Sequence, residues 1–518
     1  MERITFINAS QWLQIQCGSK RIYSPNPAII DVIQKKQFVT RFWPQTYTAF
    51  ACIIYDEDLQ EIIAVRDHFG LEPSYYSHIN GKFIFGSTIP AVLKHIAPSP
   101  KINTTQINQL FFNKWFNAET YSDETYYQSV YRLEPGCELK IDLSAKSTSS
   151  RKTIYWNLKQ CTQSIRYADE RDYVAHFSWL LAEALIVQIG NQQNVAAEFS
   201  GGLDSSAIVA AAFHNNIQPT LYMHVATPGS SIVDDISSAR VLIDQLKITN
   251  MHYIDAKQFD LVTSMNEYAD YFAGGAPYNG FILASNIHRA IAARGHHTVL
   301  SGVGGDECVS GHAPLKTCIS QIILEKGKRL ALREFYQSYQ VRDYGLSSQL
   351  KRYVQWLKLV YSKSSGSLHE HEYNLLQGPG SHHLRMRVEY NAVLAKFMRF
   401  NYVYPLLYPP LVEFCYQLPL EQKRLNGMNR YLIRNYLAQF FSSRLYGKQT
   451  KSGSVTPATL EKTQTLYDAG AYKNIFYNLP FQTERNFIQK RGKANKKYPF
   501  MHDIPAYMFK AYWDGLTQ

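Results

Sequence analysis

The sequence predicts a two-domain α/β protein, with a β-rich first domain and a larger second domain built on a parallel sheet that ends in a helical part. Three observations predict it. The first 160 or so residues carry short apolar runs separated by polar turns. From Asp172 to Ser301 strands alternate with helices, the pattern of a parallel sheet covered on both faces. Beyond about residue 320 the apolar positions recur mostly at helical spacing.

In the first domain, Phe50 to Tyr55 runs into Asp56-Glu57-Asp58 and Glu61 to Val65 follows, two apolar runs around a polar turn. Gly81 to Gly86 is a further short strand. After the turn Pro135-Gly136, Cys137 to Asp142 alternates apolar and polar residues as a half-buried strand does. In the second domain, Val174, Phe177, Leu180, Leu181, Ala184 and Leu185 share one face of a helix that Gly190 to Asn194 ends. A short strand into Phe199 comes next, then a glycine-rich turn and a helix from about Asp204 to His214. Strand Thr220 to Ala226, helix Asp234 to Lys247, strand Met251 to Ile254 and strand His297 to Ser301 continue the alternation. Leu330 to Tyr339 and Arg430 to Phe441 are the clearest of the later helices.

Composition narrows the function classes. The chain has 518 residues, enough for two or three domains, and 45% hydrophobic with 19% charged residues describes a globular protein rather than a disordered one. A net charge of +12 suits either a nucleic-acid binder or an enzyme that holds polyphosphate. The basic run Lys490 to Lys497 has no aromatic-interleaved RNA-binding motif beside it, so no nucleic-acid partner is expected. Seven scattered cysteines, none in a CxxC spacing, argue against zinc and disulfides and for a cytoplasmic protein with reduced thiols. Met1 to Phe6 lacks the basic stretch followed by an apolar run that a signal peptide needs, so export is not expected. The most apolar long window, Val403 to Leu418, contains Pro405, Pro409, Pro410 and Glu413, so no membrane span is expected.

The chemistry is concentrated in two loops. Ser200-Gly201-Gly202-Leu203-Asp204-Ser205-Ser206 follows a strand and opens a helix. Glycines let the backbone approach a ligand, the helix N-terminus offers free N–H groups to an anion, and the hydroxyls add donors, which together make a phosphate cradle. It is not a Walker A loop, because no Gly-Lys-Ser/Thr closes it. Asp204 fits better as a ligand of Mg²⁺ bridging phosphates than as a phosphate contact. A second loop, Ser301-Gly302-Val303-Gly304-Gly305-Asp306-Glu307, also follows an apolar strand and also ends in acid. Ligands of open parallel sheets lie beyond the strands' carboxyl ends, so both loops can face one nucleotide.

These loops resemble the pyrophosphatase-type ATP-binding loop and the synthetase domain of the asparagine synthetase superfamily. The resemblance extends to most of the chain. Arg66-Asp67-His68-Phe69-Gly70-Leu71-Glu72-Pro73 with Tyr75-Tyr76, and later Leu133 to Gly136, is similar to the family's N-terminal amidotransferase-like domain. Tyr404-Pro405-Leu406-Leu407, Leu411 to Phe414 and Gly427 to Arg434 resemble its helical C-terminal part. The resemblance implies an N-terminal nucleophile (Ntn) amidotransferase-like domain at about 1–165 and an ATP-dependent amide-forming domain at about 166–518. It further implies ATP and Mg²⁺, with Asp204 and Asp306 on the metal, Ser200 to Ser206 on the pyrophosphate, Ser301 and Gly302 lining the nucleotide pocket, and Lys451 of Gln449-Thr450-Lys451-Ser452-Gly453 stabilising the transition state. Lys448 is its rival for that last role.

Three departures bear on the branch. Glutamine-using members expose a cysteine directly after the initiator methionine, whose α-amine serves its own thiol as base. Glu2 stands there and the nearest cysteine is Cys17, so glutamine hydrolysis is not expected and the first domain is expected to remain as a scaffold or docking surface. Val303 occupies the place of an acid in asparagine synthetases and of a tyrosine in β-lactam synthetases. A peptide α-amine, with a pKa of about 7.7–8.0, is partly neutral already and needs no strong base there; His224 and His312 are the alternative bases. Tyr408 replaces an aspartate often found after the Pro-Leu-Leu stretch. Among branches without the cysteine, the lasso peptide cyclases fit best, joining the N-terminal amine of a precursor peptide to its own Asp or Glu side chain, alongside a leader peptidase and a leader-recognition protein. The alternatives are an ammonia-dependent asparagine synthetase and an inactive peptide-binding scaffold. Asp234-Asp235 resembles the family's helix after the second strand. His369-Glu370-His371-Glu372 lacks the HExxH spacing and reads as a solvated loop, as do His296-His297 and His382-His383.

Overall fold

The computed structural model describes residues 5–10, 12–27, 29–31, 43–79, 81–96, 101–106, 123–144, 149–225, 233–255, 261–275, 280–309, 314–340, 354, 356–360, 367–440 and 512. Lys448, Lys451, His312 and the basic run at 490–497 lie outside them. Asp234 and Asp235 fall on a described helix whose side chains there are not described.

Among the described residues, ten strands build the first domain: β1 (Thr5–Asn8), β2 (Leu13–Cys17), β3 (Lys20–Ser24), β4 (Ala51–Asp56), β5 (Glu61–Arg66), β6 (Tyr75–Ile79), β7 (Lys82–Gly86), β8 (Tyr131–Arg132), β9 (Cys137–Asp142) and β10 (Ser149–Ile154). They form a four-stranded sheet in the order β1-β7-β6-β8 and a six-stranded sheet in the order β10-β9-β5-β4-β3-β2. Strand alternation explains why β4 is buried along its whole length. Ala51, Ile53 and Tyr55 face the core between the sheets with Phe83 and Phe85, while Cys52 and Ile54 face a second cluster with Ile29, Trp43 and Phe50. The same double covering corrects the expectation for β9, where Glu138 is buried rather than solvated.

The second domain is a parallel sheet in the order β13-β12-β11-β14-β15, made of β11 (Val195–Glu198), β12 (Thr220–Val225), β13 (Met251–Asp255), β14 (Thr298–Leu300) and β15 (Asn401–Val403). Helices α1 (Glu170–Ile189), α2 (Leu203–His214), α3 (Val233–Gln245), α4 (Leu261–Tyr271) and α5 (Gly280–Ala293) precede or connect the first four strands. Asp169 caps α1 through the Arg171 N–H, and Gly190, at φ +60°, ends it. From β11 the chain steps outward to β12 and β13, then returns to place β14 on the other side of β11. Strand order therefore reverses between β11 and β14, and the loops after these two strands open onto one crevice.

The helical part contains α6 (Leu315–Lys326), α7 (Lys328–Gln340), α8 (Leu368–Leu376), α9 (His382–Met398), α10 (Pro409–Gln417) and α11 (Tyr431–Ala438). The His369 to Glu372 stretch, expected as a solvated loop, lies on α8. Glu372 there is buried and accepts from Lys423 Nζ at 2.5 Å, and Lys423 also donates to the Tyr416 carbonyl at 2.9 Å. A buried charge pair keeps this helix turned inward. His296, whose ring packs edge-on against Tyr222, and His382, the first residue of α9, are likewise buried, against expectation. Among the described residues no helix is long and apolar enough to cross a membrane, and no group of three or more His, Cys, Asp or Glu is placed to hold a metal. All seven cysteines are free thiols.

Candidate nucleotide site

The first glycine loop leaves β11 through buried Phe199 and turns at Gly201, where φ is +72°, a conformation that favours glycine. Gly202 is the N-cap of α2 and supplies no side-chain cap, so the N–H groups of the first turn stay available to an anion. Serines shape the rest. Ser205 Oγ donates to the Gly202 carbonyl at 3.3 Å and lies 3.2 Å from Ser200 Oγ, while Ser200 Oγ accepts from the Gly202 N–H at 3.3 Å. Ser206 Oγ is buried with no partner among the described residues. Leu203 does not face the crevice; its side chain is buried in the main core and anchors α2.

The second loop packs directly onto the first. A side-chain carbon at Gly302 would come within 3.1 Å of the Ser205 nitrogen, and one at Gly305 would run into the Asp204 carboxylate. Gly304 has φ +92° and lies against Leu407 of the Pro-Leu-Leu stretch. Glycine is required at these positions because backbone, not side chain, fills the gap. Val303 turns away into the main core at 2% exposure, so its position offers the crevice no polar group.

Asp204 and Asp306 meet on a cation that the motif reading left without a role. Arg430 Nη1 donates to both Asp204 oxygens, at 2.7 and 2.9 Å, and lies 2.9 Å from Asp306 Oδ1. Arg430 is the N-cap residue of α11 and has φ +54°, a left-handed backbone that costs a non-glycine residue about 1–3 kcal/mol. Burial disfavours its charge, but Asp204 and Asp306 more than offset that and push its pKa up. Behind it, Arg434 donates from Nε to the Asn429 carbonyl at 2.8 Å, and burial, with the Arg430 charge, lowers it to about 10. The convergence of two carboxylates on one guanidinium nitrogen tests the metal expectation on geometry: both acids reach a single cation. Two carboxylates suit Mg²⁺, which completes its shell with water and phosphate oxygens.

A second polar group adjoins the loops. Ser301 Oγ donates to Glu198 Oε2 at 2.8 Å, Tyr402 donates to Glu198 Oε1 at 2.7 Å, and His288 Nε2 lies 2.6 Å from the Tyr402 oxygen. The motif reading did not reach Glu198, although an acid at the end of the apolar strand Val195-Ala196-Ala197 was a signal for it. The loops thus bring together Ser200 to Ser206, Ser301, Gly302 and Asp306; Lys451 lies outside the described residues.

The first domain is fixed to this one by another charge group. Glu389 of α9 accepts from Tyr75 at 2.8 Å and Arg132 at 2.8 Å, with Arg66 at 3.8 Å. Arg66 also donates to the carbonyls of Gly70, Glu72 and Leu133, and the Asp67 carboxylate accepts from the backbone N–H groups of Phe50, Phe69, Leu71 and Glu72. The Arg66 to Pro73 motif is thereby accounted for as architecture. Tyr408 packs edge-on against Tyr47 of the first domain, at 5.4 Å between ring centres.

Two family profiles match separate parts of the chain. Residues 36–156 match the Glutamine amidotransferase domain profile. A Methanocaldococcus jannaschii protein, provisionally named a second glutamine-hydrolyzing asparagine synthetase, is 28% identical over 269 residues, 51% of this chain and 49% of its own length. Asparagine synthetase (glutamine-hydrolyzing) 2 of Bacillus subtilis is 26% identical over 167 residues, 31% of this chain and 22% of its own. Amidase chry2 of Gibberella zeae is 24% identical over 277 residues, 51% of this chain and 40% of its own. The matched stretches thus span about half or less of these relatives. The Asparagine synthase profile matches residues 176–473, more than half of the chain and inclusive of both glycine loops and Arg430, and the chain belongs to the Asparagine synthase family.

Proposed function

We propose that this chain is an ATP-dependent ligase that adenylates an Asp or Glu side chain of a precursor peptide and joins it to that peptide's own α-amine, closing a macrolactam as lasso peptide cyclases do. The observation that carries the ligase reading is the meeting of Asp204 and Asp306 on one cation beside the uncapped N-terminus of α2. In this reading the backbone N–H groups and hydroxyls of residues 200–206 hold the β- and γ-phosphates, and Ser301 and Gly302 border the nucleotide. Asp204 and Asp306 would hold Mg²⁺, which when bound draws charge from the phosphate oxygens. Arg430, displaced from the acids, remains within reach of the departing pyrophosphate, and Lys451 supplies a second cation. The substrate carboxylate attacks the α-phosphorus, giving acyl-adenylate and pyrophosphate. The amine then attacks the acyl carbon and AMP leaves.

The peptide reading is supported by Val303, which is buried and apolar where a base for a small, fully protonated amine would be useful. A leader peptidase and a leader-recognition protein would supply the trimmed peptide. The first domain, tied down through Glu389, would act as a brace. An ammonia-dependent asparagine synthetase draws equal support from the relatives' names. Carboxylate-dependent exchange of labelled pyrophosphate into ATP separates the readings. Exchange with peptides carrying a free α-amine and one Asp or Glu, but not with free aspartate, is expected. Exchange with aspartate, followed by asparagine formation from ammonia, would replace the cyclase reading. Silence with every carboxylate would replace both with a binding scaffold.

A further inference from the structure

Glu198, Tyr402, His288 and His224 have no task in adenylation. Glu198 is the last residue of β11, and its side chain gathers Ser301 from the end of β14, Tyr402 from β15 and His288 from α5. Glu198 pairs with Tyr222 on β12, so His224, two residues on, shares that face of the sheet nearer its carboxyl edge. The cluster is mostly closed, with Glu198 and His224 each only partly buried. The side chain of His288 is 1% exposed, whereas the Glu198 side chain keeps 26% of its surface open. Two imidazole nitrogens here, His224 Nε2 and His288 Nδ1, are buried without a hydrogen-bond partner among the described residues. An orphaned buried acceptor costs about 1–3 kcal/mol and calls for a ligand or a water.

The charges suit a donor rather than an anion. Burial raises the Glu198 carboxyl, but the hydrogen bond and charge of His288, with the bonds from Tyr402 and Ser301, outweigh it and hold the group at about 2, so it is ionised at pH 7. Burial lowers His224 to about 4, leaving a neutral ring with a lone pair to offer. A primary ammonium group carries three N–H donors and one positive charge, and it matches a carboxylate flanked by a neutral imidazole. Phosphate would be repelled from the same place.

We propose that Glu198, positioned by Ser301, Tyr402 and His288 and flanked by His224, is the subsite that receives the primary amine nucleophile beside the two glycine loops. The proposal rests on the ligase reading above. Ser301 joins the two halves of the site, since it opens the second glycine loop and also donates to Glu198, so an amine held there stands next to the nucleotide crevice.

The test uses Glu198→Gln, which keeps the shape and removes the charge, with the carboxylate that supports exchange in the wild type. Two nucleophiles are compared at pH 7: ammonia, which is mostly ammonium, and hydroxylamine, which is mostly neutral. The expected result is a rise of about 10- to 100-fold in the KM for ammonia, as for loss of a charge-assisted hydrogen bond. Pyrophosphate exchange and hydroxamate formation should change by no more than about twofold, and Glu198→Asp should recover part of the ammonia KM. Equal losses in exchange and with both nucleophiles would assign the cluster to the nucleotide or the fold and overturn the proposal. An unchanged ammonia KM would overturn it too. A wild-type protein silent in exchange with every carboxylate would sink the ligase reading itself, and the subsite with it.

Discussion

Two buried charge groups in this molecule are mirror images. At the domain junction one acid, Glu389, lies between two arginines, Arg66 and Arg132. At the crevice one arginine, Arg430, lies between two acids, Asp204 and Asp306. The first group is closed: Glu389 also takes the Tyr75 hydroxyl, and Arg66 spends its remaining donors on three backbone carbonyls. The second is lined by glycines, borders an uncapped helix N-terminus and hangs on a residue with a left-handed backbone. The same ion chemistry therefore joins two domains in one place and ties two glycine loops to a helix start in the other. Closure, not charge, makes the difference.

The contrast can be broken most severely at Asp204. Under the ligase reading, Asp204→Ala should lower carboxylate-dependent pyrophosphate exchange by about 10³-fold or more, with a smaller change in unfolding midpoint than at the junction, since Asp306 still pairs with Arg430. Retained exchange would remove it from the site. Glu389→Ala should do the opposite, costing about 3–5 kcal/mol in urea unfolding because two arginines are left buried without their acid, while exchange by the folded protein persists. A mild effect there would mean that the junction is wetter than its geometry indicates.

Arg430→Gln sharpens the comparison. Without the guanidinium, Asp204 and Asp306 face each other uncompensated, and uptake of Mn²⁺ by the nucleotide-free protein should tighten by about 10-fold as exchange weakens. Unchanged uptake would show that arginine and metal do not share the position. A further effect, shared by both domains, is expected from pH. Burial lowers His68 in the first domain and His224 in the second to about 4, each below the ordinary value near 6.5. The unfolded chain then binds more protons between those values, so the stability is present at pH 7 and is lost as pH falls from about 6.5 to 4. Each contributes up to about 3 kcal/mol. Replacing His68 with Asn should flatten the first-domain share of that decline in denaturation midpoints measured across this range.

How legible this was depended on the distance over which each feature is decided. The strands from Ala51 to Arg66, the helix that begins at Leu203 and the glycine loops follow from residues within a few positions of each other, and the sequence pattern located them. Glu372 departs from the solvated loop its neighbours suggest because its partner, Lys423, is 51 residues away and lies against a buried helix face. Arg430 fell within a recognised stretch, yet nothing local distinguishes it from a solvated arginine at a helix start.

The sequence by itself determined the mixed α/β class, the glycine- and serine-rich turn at Ser200 to Ser206 that opens a helix, and the pairing of that loop with Ser301 to Asp306. Those are matters of backbone freedom, periodicity and donor supply, all written in adjacent residues. Only the tertiary structure decided that Arg430 would sit between two acids, 226 positions from Asp204, and that Glu198, His288, Ser301 and Tyr402 would share one hydrogen-bonded cluster. The reason is the reversal of strand order at β11 and β14, which brings together the ends of strands far apart in the chain; no local pattern encodes which side chains then meet.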